Sequence, residues 1–229
     1  MDVEIFKSNL LKENISNKLI KITGNTVIDS IKYFLEISKK NIKFKKKYQS
    51  FIKSISFDSN EKNILVTIHR REKYGKNILL FCNQIKRVAK LNVNIFITLH
   101  HNPNIKIPLI KNLKNIKNIN LIEPVKYDYF INLLNDSYLV ISDSGGIQEE
   151  ITILKTPLIV IRDKTERSES IRNNKSIMVG EDCKELFIQT KRLIASQAYY
   201  SKYLKIKKIY GSGNSSVKIA NFLKDQKMI

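Results

Sequence analysis

Most residues able to do chemistry in this sequence fall into a few short stretches. There are three histidines, His69 and the adjacent His100 and His101. Four of the seven arginines lie in HRRE (Arg70, Arg71) and RDKTER (Arg162, Arg167), in a chain whose other positive charge is 34 lysines. Six of the seven glycines occur in TGN, KYG, SGG and YGSG. In so lysine-rich a chain, an arginine suggests that a planar fork is needed, as for phosphate or carboxylate.

Ser144-Gly145-Gly146 reads as a turn opening a helix that carries Glu149 and Glu150. Glycines allow close backbone approach, and a helix start offers free N–H groups and a positive dipole end, which suits a diphosphate. Glu150 lies one turn beyond Gly146 on the same face, where it can accept hydrogen bonds from a ribose diol. The plain alternative is an ordinary helix start, with Ser144 as its cap. His69, beside Arg70, Arg71 and Glu72, can donate to phosphate or act as acid or base; a surface turn with an ion pair to Glu72 is the alternative. His100 and His101 precede Asn102-Pro103, and so leave in a loop. With three histidines and no cysteine nearby, no metal site is expected. Arg162 to Arg167 would face a ligand over Gly145 and Gly146, or form a charged loop. Tyr210-Gly211-Ser212-Gly213 reads as a turn between helices.

The elements that must hold these residues alternate. Strands are expected at about 64–68, 94–99, 119–122, 138–141 and 157–161, with a sixth in SIMVG. Helices are expected at about 76–89, 107–113, 127–134, 146–154, 185–195 and 216–224. Upstream, residues 1–20 read as helix and loop, KITGN as a short strand and turn, and a helix starts near Val27. Lys39 to Asn60, charged and poorly periodic, reads as helix end, loop and spacer. Short apolar strands alternating with helices give an α/β fold, a Rossmann-like, doubly wound parallel sheet. HRRE, HHNP, Glu123-Pro124, SDSGG and Arg162-Asp163 each follow a strand, at the carboxyl rim where such sheets bind ligands. No GxGxxG and no Walker loop occurs, so NAD and ATP chemistry are not favoured and no cofactor is expected.

Composition sets further bounds. The 229 residues are 42% apolar, enough for a sizeable core. The net charge of +20 invites a nucleic-acid reading. Yet the lysines come with abundant Asn and Ile, as an AT-rich genome would write them, and no nucleic-acid motif accompanies them; no nucleic-acid partner is expected. No apolar run reaches membrane-spanning length, and the polar opening MDVEIFKSNLLKEN is not read as a signal peptide. Cys82 and Cys183 form no disulfide framework, which suggests reduced thiols and a cytoplasmic location.

Taken in order, TGNTVID, TIHRRE, HHNPN, SDSGGIQEE, RDKTERSE and YGSGNSS resemble the non-hydrolysing UDP-N-acetylglucosamine 2-epimerases. The resemblance runs over essentially the whole chain and covers about the C-terminal three-fifths of such an enzyme. It implies the C-terminal half of a GT-B-type fold. Residues 1–22 would be a remnant of the end of an N-terminal domain and 23–62 a strand and helix leading in. Residues 63–198 would be the UDP-binding domain and 199–229 helices crossing back. By position, His69 matches the family's active-site histidine. Ser144, Gly145 and Gly146 match the diphosphate loop, Glu150 the ribose glutamate, and Arg167 an arginine of the UDP site. Phe130 and Val125 match positions beside the uracil, Val125 standing where Gln is common. Arg70 and His100 match positions that touch a second, allosteric UDP-sugar in bacterial relatives. The family inverts C2 of UDP-N-acetylglucosamine through elimination and re-addition of UDP. Several of its acid and base groups come from the N-terminal domain, so this chain alone is expected to bind UDP with little or no epimerisation. A homodimer and a separately supplied N-terminal half are the implied partners. The alternatives are a non-catalytic UDP-sugar-binding remnant and a GT-B-type glycosyltransferase domain.

Overall fold

The computed structural model describes residues 3–225. Its centre is a six-stranded parallel sheet in the order β3-β2-β1-β4-β5-β6. The strands are β1 (Asn63–Thr67), β2 (Asn94–Thr98), β3 (Ile119–Ile122), β4 (Leu139–Ser142), β5 (Leu158–Val160) and β6 (Ser176–Met178). Strand order runs outward one way from β1 and the other way from β4. The β1–β4 pair, with Thr67 beside Ser142, is therefore the switch point, where open α/β sheets place their ligand crevice.

Both sheet faces are buried, so the strands are apolar throughout rather than alternating. Ile64 and Val66 point to one face, with Ile95, Ile97, Leu139 and Ile141. Helices α4 (Lys76–Val88), α5 (Pro103–Leu113) and α9 (Leu186–Ala195) cover it through Phe81, Leu109 and Leu193. Leu65, Phe96, Val140 and Val160 point the other way. That face is covered by α2 (Thr26–Lys40), α3 (Ile42–Ser54), α6 (Tyr127–Asp136) and α7 (Gly145–Glu150). The remaining helices are α1 (Val3–Lys12), α8 (Ser168–Arg172), α10 (Gln197–Ser201) and α11 (Ser215–Asp225).

Three sequence expectations need correction. Lys39 to Asn60 is not a spacer, because α3 fills most of it. Phe44, Tyr48, Phe51, Ile52 and Ile55 recur at helical spacing and pack on the core, while the lysines between them face outward. The Asn41 side chain caps this helix, accepting from Phe44 N–H at 3.0 Å. KITGN (residues 21–25) forms no strand, and Asn25 instead caps α2. Helix α5 starts at Pro103 rather than near residue 107, since Asn102 caps it and Pro is well suited to a first helical position.

Residues 24–29 and 210–216 meet beside the site. Gly24 (φ +97°) approaches Gly211, and Asn25 N–H donates to Tyr210 O at 2.8 Å. Asp29 on α2 accepts from Ser215 and Ser216 N–H at the start of α11. Thus TGNTVID and YGSGNSS form one clasp, with Asp29 and Ser215 186 positions apart. Fully buried Lys175 ties the C-terminal segment down further by donating to the carbonyls of Leu154 and Tyr203. Burial pulls its ammonium down to about 7.

Candidate functional site

The carboxyl ends of β1, β4 and β5 bring three loops together. After β4, Asp143 and Ser144 lead into α7. Ser144 is the N-cap residue, but its side chain makes no cap bond. The first N–H groups of a helix lack intrahelical partners, so this end can receive an anion. The loop after β5 supplies two guanidinium groups to it. A Cβ placed on Gly145 would lie 3.5 Å from Arg162 Nη2 and 3.5 Å from Arg167 Nη1. Glycine therefore leaves its backbone open to close approach beside two cations.

Those cations are held in place. Arg162, 6% exposed, donates from Nε to Asp143 O at 2.7 Å and pairs through Nη1 with Glu166 at 3.0 Å. Arg167 Nε donates to Glu149 Oε1 at 2.9 Å, and its Nη1 reaches Glu166 Oε2 at 3.2 Å. The second oxygen of Glu149 accepts from Asn25 Nδ2 at 2.8 Å, which joins the arginine to the terminal clasp.

Glu150 lies on the buried side of α7, 8% exposed, and accepts from the Tyr127 hydroxyl at 3.0 Å. Burial holds its carboxyl above the usual range, against the lowering effect of that hydrogen bond. His69 stands across the crevice, its side chain 43% exposed, with Nδ1 3.1 Å from Oδ1 of the fully buried Asp143. That hydrogen bond raises the His69 pKa, outweighing burial and the neighbouring guanidinium charges of Arg162 and Arg70.

His69, Ser144, Gly145, Gly146, Arg167 and Glu150 thus gather around the switch point. Phe130 and Val125 lie on α6 and its lead-in, half-buried against the core; Tyr127 is the residue of that helix that bonds into the site. Arg70 turns to Glu72 at 2.6 Å. The His100 ring is 6.0 Å from that of His69, so HHNP does meet HRRE. Among the described residues, no group of three or more potential metal ligands occurs. Asp143, Glu149, Tyr127 and Asn25 also contribute, and no local sequence signal marks them as site residues. SDSGG and QEE contain the first two, but their roles depend on partners far away in sequence.

A family profile described as UDP-N-acetylglucosamine 2-epimerase matches residues 2–224. The chain is 41% identical over 218 residues to the UDP-N-acetylglucosamine 2-epimerase of Campylobacter jejuni, covering 94% of this chain and 57% of that protein. Among solved structures it is similar to the UDP-GlcNAc 2-epimerase of Neisseria meningitidis bound to UDP-GlcNAc. That match has a TM-score of 0.90 at 38% identity and covers 96% of this chain and 59% of the other. The Methanocaldococcus jannaschii enzyme in complex with UDP-GlcNAc and UDP matches with a TM-score of 0.81 at 31% identity, covering 97% and 59%. The chain therefore spans just under three-fifths of the length of these relatives.

Proposed function

The chain belongs to the UDP-N-acetylglucosamine 2-epimerase family, and from that membership we propose that it holds the UDP moiety during interconversion of UDP-N-acetylglucosamine and UDP-N-acetylmannosamine. The observation that carries this reading is the pair of anchored guanidinium groups facing Gly145 at the start of α7. Two fixed forks beside a glycine turn suit the charge of a diphosphate. Ser144 and the α7 backbone donate to the same group, and Glu150 accepts from the ribose. Phe130 and Val125 flank the base on the reading implied by resemblance. Residues 63–198 form the nucleotide-binding unit, and residues 210–216 join α2 and its lead-in through the clasp.

The reaction needs the C1–O bond to UDP to break as a base removes the C2 proton, leaving a C1–C2 double bond. UDP then adds back at C1 while a proton arrives on the opposite face of C2. Residues of this chain stabilise the departing UDP anion: Arg162 and Arg167 by charge, and His69 by donation when protonated. His69 alone cannot serve both faces of C2. The remaining two-fifths of such an enzyme supplies the other acid and base groups, as part of the same chain or a separate one. A cytoplasmic setting fits the two unpaired, buried cysteines.

Proton NMR of UDP-N-acetylglucosamine in D2O with the purified chain tests this. Broadened uracil signals with an unexchanged C2 proton are expected. Sharp, unperturbed uracil signals at millimolar ligand contradict the UDP assignment. C2 exchange by the chain alone contradicts the division of labour.

A further inference from the structure

One residue joins the three rim loops. Asp143 is completely buried directly after β4. Its oxygens accept from His69 N–H at 3.2 and 3.1 Å, and Oδ2 also from Arg70 N–H at 3.0 Å. Its Oδ1 lies 3.1 Å from His69 Nδ1, and its carbonyl accepts from Arg162 Nε. We propose that Asp143 is a positioning residue that holds His69 as the Nδ1–H tautomer and leaves Nε2 as its working atom toward the crevice. This rests on the nucleotide-sugar reading of the site only for what Nε2 meets; the tautomer itself does not depend on it.

An ionised carboxylate can only accept, so the ring nitrogen facing it must carry the hydrogen. The bond made by one ring nitrogen sets the state of the other. Neutral His69 then presents an Nε2 lone pair that can take a proton, and protonated His69 presents an Nε2–H that can donate to phosphate. The two backbone bonds to Asp143 fix the main chain beneath the ring, so the side chain is aimed as well as polarised. The charged and titratable groups facing the ring are Asp143 from the loop after β4, Arg162 from the loop after β5, His100 from the loop after β2, and Arg70 on its own loop. Of these only Asp143 is an anion, so it favours the imidazolium that the two arginines oppose. Their balance lies on the side of Asp143.

The test is a long-range proton–nitrogen correlation experiment on the full chain labelled with 15N at its histidines, from pH 5 to 9 without ligand. His69 is assigned by the signals that vanish in His69→Gln. The expected pattern is the Nδ1–H form at high pH, with a midpoint above about 6.5, the ordinary histidine value. Asp143→Asn should move that midpoint to lower pH and abolish the tautomer preference. A purely packing role would move neither. An Nε2–H pattern in the unsubstituted chain, or an unchanged midpoint in Asp143→Asn, overturns the proposal. If Asp143→Asn does not fold, the unsubstituted chain's tautomer decides alone. UDP added to the same sample is read separately: no response in any histidine signal counts against the nucleotide reading, whereas a wrong tautomer counts against Asp143.

Discussion

Glu150 carries a desolvation cost, only part of which the Tyr127 hydroxyl offsets. Its carboxyl is buried beside Glu149, and burial raises its pKa in the folded state. A raised pKa means that its stabilising effect is complete below the unfolded value of about 4.3 and lost as pH rises through the folded value. At neutral pH the ionised group is therefore a burden. Glu150→Gln keeps an acceptor for Tyr127 and removes the charge. Its thermal midpoint at pH 7 should equal or exceed that of the unsubstituted chain, with the difference vanishing near pH 4. UDP affinity should fall about tenfold to a hundredfold, since hydrogen bonds to a charged group are worth about 1.5–3 kcal/mol. A lowered midpoint with unchanged affinity would show that Glu150 is structural. Gly145→Ala separates the two roles in the same way. The added methyl meets both guanidinium groups at ordinary contact distance, so folding should persist. Calorimetry should nevertheless find UDP binding lost, because the methyl fills the space left for the diphosphate; retained affinity would argue against that placement. His69, Gly145 and Arg167 were legible because rare residue types stand out in a lysine-rich chain. Asp143 and Tyr127 were not, because nothing local marks an Asp or Tyr whose partner lies 74 or 23 positions away.

At the scale of elements, the clasp between residues 24–29 and 210–216 helps to hold Arg167, through Asn25 and Glu149. Gly24 is at φ +97°, where a side chain is strained, and an added Cβ would sit 2.6 Å from Ser215 Oγ and 3.2 Å from the Tyr210 carbonyl. Gly24→Ala should cost at least about 1 kcal/mol and lower the thermal midpoint. It should also weaken UDP binding indirectly, through the Asn25–Glu149–Arg167 chain of contacts. Equal stability by thermal denaturation would mean that the clasp is loose. The strands and most helices were readable from their apolar runs and spacing. Helix α3 was not, because its lysine run hid the periodicity of Phe44, Tyr48, Phe51 and Ile52. The clasp was readable only as two separate turns, since sequence spacing says nothing of a contact across the whole chain.

At the scale of the molecule, the parallel sheet, packed between two apolar layers, places the polar residues of three loops at one switch point. The large positive charge is mostly surface lysine, whereas the site depends on a few fixed arginines. The most direct test is a UDP titration of the uniformly 15N-labelled chain at physiological salt, followed residue by residue. The account predicts saturable binding with the largest shifts at Ser144, Gly145, Gly146, Glu150, Arg167 and His69, and with affinity lost in Arg167→Ala. Shifts spread over the lysine-rich outer face of α3 that fade with added salt, with the Ser144–Gly146 turn unmoved, would contradict it.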